Sequence, residues 1–296
     1  MARPLVSVLT TVYNREEFIA ECIESVLASS FQDYEYIVVD DCSKDRTVEI
    51  ARRYAGDPRV RLHVNEKNIG QFPNRNHAAE LASGRYVKYL DSDDVLYPHC
   101  LQVMVYCMEQ FPHAGVGISE RGRGIVPLPV CLDPLSAWRQ ALLGPGLLTR
   151  SPLSTIIRRD AFHACGGFRF PNAKTNDTLF LYEICAVYAA VLLPADLGFY
   201  RVHVNQINAG LTRDRAMGET ARYLPEIILS GKCPLGSEEQ QQAYRNVVGP
   251  FARYCLRLAL RGRVARAMRL WSFAGRPLND LSLAALRSKR PYSHCF

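Results

Sequence analysis

Apolar residues come in short runs through the first third of the chain, with polar clusters between them. Leu5, Val6, Val8 and Leu9 make a brief run over residues 5–10, suited to a buried parallel strand. A polar loop follows, from Thr11 to Asn14. Phe18, Cys22 and Val26, with Ile19, Ile23 and Leu27, then recur at helical spacing. Asn14, with Glu17 three residues on, is expected to cap that helix. The grammar repeats with a strand over 34–39 that ends at Asp40-Asp41-Cys42-Ser43, then a helix over about 45–54. A third strand over 60–64, a turn at Asn68-Ile69-Gly70 and a helix from Pro73 to Ala82 come next, with the proline near the helix start, where it is tolerated. Ser83-Gly84 stops that helix, and a strand over 85–90 runs into Asp91-Ser92-Asp93-Asp94.

This alternation predicts an α/β fold, a mostly parallel sheet with helices on both faces. Ligands of such sheets bind beyond the carboxyl ends of the strands. The loops after the first, second and fourth strands meet at that edge. Three carboxylates within four residues repel one another. A hard divalent cation, Mn²⁺ or Mg²⁺, held by few protein oxygens and by a ligand's phosphates, relieves that repulsion. The plainer alternative is a solvated acidic turn. There is no Gly-x-Gly-x-x-Gly after the first strand and no P-loop, so a glycine cradle for phosphate is excluded.

After a helix over 100–111 the alternation breaks. Residues 113–150 hold several Gly and Pro, including Arg121-Gly122-Arg123-Gly124 and Gly144-Pro145-Gly146, and are expected to be loop-rich. A strand over 154–157, a short helix over 158–165, a helix over 179–188 and closing strands over 191–193 and 198–203 follow. From Leu211 onward the pattern is helical and basic, with 15 Lys and Arg against 6 acidic residues, a surplus larger than the net charge of +7. Such a tail suits nucleic acid or an anionic membrane surface. The 296 residues, 48% hydrophobic, provide ample core, and no apolar run approaches the roughly 20 residues that span a bilayer. The 10 cysteines form no Cys-x-x-Cys pair, which argues for thiols in a reducing compartment rather than a zinc site. Met1-Ala2-Arg3-Pro4 leads straight into a strand pattern with no secretory leader, so the expected location is cytoplasmic.

Taken in order, these motifs resemble the family 2 glycosyltransferases with the GT-A fold. The likeness rests on residues 6–14 and 37–45, on Asn68-Ile69-Gly70 with Arg75-Asn76, and on residues 84–94. Gly166-Gly167-Phe168, Asn176-Asp177 and Tyr200-Arg201-Val202-His203 extend it, so it spans residues 5 to about 208. The resemblance implies a Rossmann-like, mostly parallel sheet flanked by helices, with a basic helical C-terminal extension. Residues 1–105 would be the nucleotide-sugar-binding half, 106–210 the acceptor-binding half of the same domain, and 211–296 the extension.

It further implies inverting transfer of a sugar from a nucleotide-diphosphate sugar, UDP-linked in preference, to an acceptor hydroxyl. The acceptor would be a saccharide, a lipid-linked sugar or a peptide, in glycan, cell-surface polysaccharide or glycolipid synthesis. By similarity Thr11, Tyr13 and Asn14 would line the base, Asp41 would hold the uracil or ribose, and Arg75 would lie near the donor. Asp91, with Ser92, would approach the ribose or sugar, and Asp93 would bind the metal bridging the phosphates. His203 reads as a further metal ligand or as a hydrogen-bonded strand-end histidine, with Asp91 and Asp94 as additional metal candidates. Asp177 would be the general base that takes the acceptor's proton, while Asp40 reads as structural. No nucleic-acid partner is implied, and the basic C-terminal helices would make peripheral membrane contact.

Two departures matter. Asn176 stands where the family often has an acid, which keeps alive a non-catalytic nucleotide-sugar-binding protein on the same scaffold. A Gln-x-x-Arg-Trp stretch is missing, which favours single addition over polymerisation. A nucleotidyltransferase is the remaining alternative.

Overall fold

The computed structural model describes residues 3–120, 127–170, 172–195, 197–203 and 213–285. The apolar runs become β1 (Val6–Val12), β2 (Tyr34–Asp40), β3 (Val60–Val64) and β4 (Tyr86–Tyr89). Between them lie α1 (Ile19–Leu27), α2 (Thr47–Arg52) and α3 (Gln71–Leu81). Next come β5 (Val95–Leu96), α4 (Cys100–Glu109), β6 (Ala114–Ser119), β7 (Val130–Leu132), α5 (Pro134–Trp138), β8 (Thr155–Arg158) and α6 (Arg159–Ala164). The chain continues through α7 (Asn176–Cys185), β9 (Ala189–Leu193), β10 (Gly198–Phe199), α8 (Arg213–Ile228), α9 (Ser237–Leu260) and α10 (Val264–Ala274).

Two compact units divide these elements. The first comprises Met1–Asp133, Arg150–Asn172 and Tyr188–Val202, and it contains every strand. Its main sheet has the order β3-β2-β1-β4-β8-β6-β9-β7. The run β3-β2-β1-β4 is parallel throughout, β8 is antiparallel to both its neighbours, and β6 with β9 is parallel again. β5 and β10 pair separately as a short antiparallel ribbon. The core on one face of the sheet joins Val6, Val8, Tyr36 and Val38 to Ile19, Ile23, Leu101 and Met104. The helix-spaced residues of α1 and α4 thus meet the alternate residues of β1 and β2.

The second unit comprises Pro134–Thr149, Ala173–Val187 and His203–Phe296 and is helical. Phe251, Cys255 and Leu258 of α9 pack with Ala221 of α8 and Ala267 of α10, and Phe251 stacks on Trp271 at 5.7 Å. Buried Glu219 of α8 accepts bonds from the Thr175 N–H and hydroxyl, which pins the start of α7 within this unit.

Several expectations need correction. Residues 113–150 are not simply loop. They supply β6, an interior strand of the sheet, as well as β7 and α5, while the expected loop at 121–124 lies outside the described residues. Two glycines of this stretch, Gly115 and Gly117, are packing residues of β6. A Cβ on Gly117 would sit 2.8 Å from Ile156 Cγ2 and 2.9 Å from both Leu193 Cδ1 and Met108 Sδ. Gly117→Ala is therefore expected to destabilise the fold by about 1–3 kcal/mol through overpacking, measurable by urea denaturation. The closing strand expected over 198–203 is only Gly198–Phe199, and it pairs with Val95–Leu96. Asn14 does not cap α1. That helix starts at Ile19 with no side-chain cap, and the Asn14 backbone has a positive φ of 51°.

Lys88 of β4 is fully buried. Its ammonium donates to the carbonyls of Tyr89 (3.1 Å), Pro152 (2.8 Å) and Leu153 (2.7 Å). Burial pulls its pKa from the ordinary 10.5 down to about 8. Between those values the unfolded chain holds the extra proton, so this group makes stability rise with pH across that window. Lys88→Met is expected to remove that alkaline rise. It should also lower stability near neutrality by about 2 kcal/mol, because buried carbonyls lose their donor. Denaturation curves collected from pH 7 to pH 10.5 check both effects.

Candidate active site

The site is built at the carboxyl edge of β1, β2 and β4. The loop after β1 and the loop after β2 are laced together. The Asn14 N–H donates to Ser43 Oγ, and Asn14 Oδ1 accepts from the Lys44 N–H. The Arg15 N–H donates to Thr47 Oγ1, and the Glu16 N–H to Asp45 Oδ2. Asn14 is thus a staple between two site loops rather than a helix cap. Thr11 is half-buried, and Tyr13 is exposed beside it.

Asp40 and Asp41 divide their work. Asp40 points into the interior, where Oδ1 accepts from the Ser43 N–H and Oδ2 has no partner among the described residues. Asp41 Oδ1 accepts from Asn65 Nδ2 and the Ile69 N–H, and its Oδ2 accepts from the Gly70 N–H, all at 2.9–3.0 Å. Gly70 has φ +93°, a conformation open to glycine and strained for other residues. That backbone brings two consecutive amides onto one carboxylate.

Arg75 is not a surface charge. It is buried on α3, with its guanidinium 5.3 Å from the Phe72 ring centroid and 5.9 Å from that of Phe168. Its Nη2 contacts Asp91 Oδ1 at 2.5 Å, and its Nη1 is buried without a hydrogen-bond partner among the described residues. A cation with an unused donor beside a carboxylate is a ready anion site.

The acidic loop is anchored at both ends. The Leu90 N–H donates to Leu9 O, and the Asp94 N–H closes a turn on Asp91 O. Ser92, Asp93 and Asp94 are buried and Asp91 is partly exposed, so a solvated acidic turn is excluded. Arg201 holds this loop. Its N–H donates to Asp94 Oδ1, its Nε to Asp93 O and its Nη2 to Glu21 Oε2 on α1. Arg15 Nε stands 3.9 Å from Asp93 Oδ2. Sequence reasoning assigns no role to Arg15 or Arg201. Single arginines in loops carry no periodic signal, and Arg201 is 107 residues from Asp94 in the chain.

Burial, then the neighbouring Asp91 and Asp93 charges, push the Asp94 carboxyl up to about 8, against the lowering effect of the Arg201 N–H. Its Oδ2 is buried and has no hydrogen-bond partner among the described residues. Crowded carboxylates with an orphaned oxygen are the hard donor set that Mn²⁺ or Mg²⁺ takes. Among the described residues no three His, Cys, Asp or Glu side chains form a cage for an ion. The residues therefore fit a cation that takes its remaining ligands from a bound phosphate or water.

Asp177 and His203 belong to the second unit. Asp177 sits in the first turn of α7, where its Oδ1 accepts the Thr178 N–H. That helix begins at Asn176, three residues before the expected start. Asn176 is completely buried, and neither polar atom of its amide has a hydrogen-bond partner. His203 is half-buried, and the residues that follow it, through 208 of the motif stretch, lie outside the described residues.

Solved structures similar to this one share its fold. Residues 1–349 of S. aureus TarS, solved with UDP-GlcNAc, superpose with a TM-score of 0.65 at 23% identity over 82% of this chain and 71% of that one. The mannosyltransferase PcManGT from Pyrobaculum calidifontis, solved with GDP-Man and Mn²⁺, gives 0.59 at 18% identity over 96% and 79%. The fold is therefore GT-A. Among curated relatives, TuaG of Bacillus subtilis (strain 168), provisionally named a teichuronic acid biosynthesis glycosyltransferase, is 46% identical over 93 residues, 31% of this chain and 37% of that protein. Chondroitin synthase of Escherichia coli is 38% identical over 109 residues, 36% of this chain and 15% of that protein. The matched stretch thus spans well under half the length of these relatives. The family model described as glycosyl transferase family 2 matches residues 7–166, which take in β1 through β8 and the whole acidic loop. On that match, across more than half of its length, this chain belongs to glycosyl transferase family 2.

Proposed function

We propose that the protein transfers a sugar from a UDP-linked donor to a hydroxyl of a saccharide acceptor in polysaccharide biosynthesis, with inversion and with help from Mn²⁺ or Mg²⁺. The observation that carries this reading is the pair of buried Arg75 with partly exposed Asp91, standing in the same site as the crowded Asp93 and Asp94 carboxylates. The leaving group is a nucleoside diphosphate, and its developing charge needs fixed positive partners. Arg75 offers the unused Nη1 donor to a phosphate, and Asp91 keeps its other guanidinium nitrogen in place. Asp93 would hold the cation, which neutralises diphosphate charge when bound. Because Arg15 faces Asp93, its guanidinium would have to yield that carboxylate to the ion. Thr11, Tyr13 and Asn14 line the base side, and Asp41 sets the backbone there.

Asp177 is the proposed base. Its place in the first turn of α7 favours the ionised form that accepts the acceptor's proton. His203 is a further proposed ligand. The donors named in the TarS and PcManGT structures, and the polysaccharides named for the relatives, support an activated-sugar donor and a glycan acceptor. Lipid-linked and peptide-borne acceptors are tested alongside free saccharides, and the proposed setting is the cytoplasmic side of a membrane.

The test is a panel of UDP- and GDP-sugars scored by thermal shift with and without Mn²⁺, followed by assay of the released product. A donor at 100 times its Kd should stabilise the fold by about 2.7 kcal/mol. Release of nucleoside diphosphate with an acceptor present supports transfer. Pyrophosphate release would indicate nucleotidyl transfer instead, and binding without turnover a non-catalytic protein. Absence of a shift with every donor overturns the reading.

A further inference from the structure

The corner between α9 and α10 combines two features that rarely share a soluble surface. Residues 240–279 contain eight arginines and no Asp or Glu. Within that stretch, large apolar side chains stand in solvent: Leu256 is 38% exposed, Leu260 87%, Val264 50% and Met268 67%. Leu256 and Leu260 are four residues apart on α9, and Val264 and Met268 are four apart on α10, so each pair lies on one helix face. The turn Arg261-Gly262-Arg263 joins the two pairs, helped by the positive φ of Gly262.

Four of the arginines around this ridge are left without an ion pair among the described residues. Arg266 pairs with Asp214 of α8. Arg257, Arg261, Arg263 and Arg269 are exposed and have no ion pair among the described residues. On the opposite faces of the same two helices Phe251, Cys255, Leu258 and Ala267 are buried in the core of the unit. Of the exposed apolar side chains in this unit, those at the corner are the ones set among arginines with no acidic residue in the stretch.

We propose that this corner is a docking surface for an anionic lipid bilayer. Leu260 and its neighbours would enter the boundary between headgroups and acyl chains, and the arginines would pair with lipid phosphates. A soluble polyanion such as nucleic acid or a charged glycan would use the arginines. It would gain nothing from an 87%-exposed leucine set among them, and that leucine decides between the two occupants. Docking on the surface, rather than spanning, is the mode available to these helices, because among the described residues none is long and apolar enough to cross a membrane. This inference goes beyond sugar transfer and does not depend on it, since none of these residues is among those proposed to hold the donor.

The experiment is flotation of the full-length protein with vesicles of phosphatidylglycerol and phosphatidylcholine, and with vesicles of phosphatidylcholine alone. Binding is expected only to the anionic vesicles and should weaken with added salt, because exposed charges are screened. The variant L260S/M268S should lose about tenfold or more in partitioning with its melting temperature unchanged, since both side chains are exposed. Each of Arg257→Gln, Arg261→Gln and Arg263→Gln should cost about fivefold. Retained binding in L260S/M268S with loss in the arginine variants would overturn the bilayer and indicate a polyanion. No binding of the parent protein to anionic vesicles would overturn it outright. Donor-induced thermal shifts, measured on the same variants, should not change, which separates this result from the donor-site reading.

Discussion

Asp93→Ala is expected to reduce sugar transfer by about 10³-fold or more while the fold persists. The carboxylate is barely exposed, and its main chain is held separately, since Arg201 Nε binds its carbonyl. Removing it takes one negative charge from beside Asp94, whose carboxyl is already pushed up to about 8 by burial and by its neighbours. The folded state therefore loses repulsion, and the melting temperature should stay level or rise slightly. What disappears is the partner for the cation. Donor-dependent thermal shifts should lose their dependence on Mn²⁺, and turnover should fall even at saturating donor. Near-normal transfer by Asp93→Ala would remove Asp93 from the proposed chemistry.

The second large effect is on stability. Asp91→Ala leaves the Arg75 guanidinium buried with no carboxylate, an arrangement that costs about 2–4 kcal/mol. Arg75→Met should be milder for the fold, because Asp91 keeps part of its surface in water and the Met side chain can occupy the space between Phe72 and Phe168. The two substitutions should separate in function. Asp91→Ala keeps the cation and should show a larger stabilisation by donor than the parent, since a phosphate replaces the lost partner. Arg75→Met should show little stabilisation by donor at any concentration tested. The double variant should be less destabilised than Asp91→Ala alone, a non-additivity that urea denaturation can resolve. Equal destabilisation by all three would mean that the pair is not the isolated buried contact described above.

The donor side of the site was legible because its information is local. β1, β2 and β4 are apolar runs that end in polar residues, and strand register carries those ends to one edge. The acidic loop announced itself by charge density alone. Other features lay beyond local reading. Gly115 and Gly117 carry the same signal in a loop as in β6, and only the proximity of Tyr188, Ile156 and Leu193 shows why a side chain is excluded there. Asn14 has the composition of a cap, but a cap also needs extended backbone, and its φ of 51° withdraws it from α1. The hold of Arg201 on Asp94 and the ammonium of Lys88 under Pro152 and Leu153 join residues far apart in sequence, so no spacing rule reports them. Arg75 sits on a helix with little amphipathic pattern. Its burial follows from Phe72, Phe168 and Asp91, which arrive from three different segments.

The way Asp41 suspends residues 65–70 has a consequence for how freely this segment can vary in sequence. Two of the three groups on that carboxylate are main-chain amides, those of Ile69 and Gly70. The side chains of Glu66, Lys67 and Ile69 face solvent and take no part in the attachment to the carboxylate. As long as Gly70 supplies its backbone bend, the identities at positions 66, 67 and 69 are free to drift while the strap keeps its path. A library randomised at those three positions should therefore yield mostly folded proteins, and this strap is a place where the sequence can change without rebuilding the scaffold.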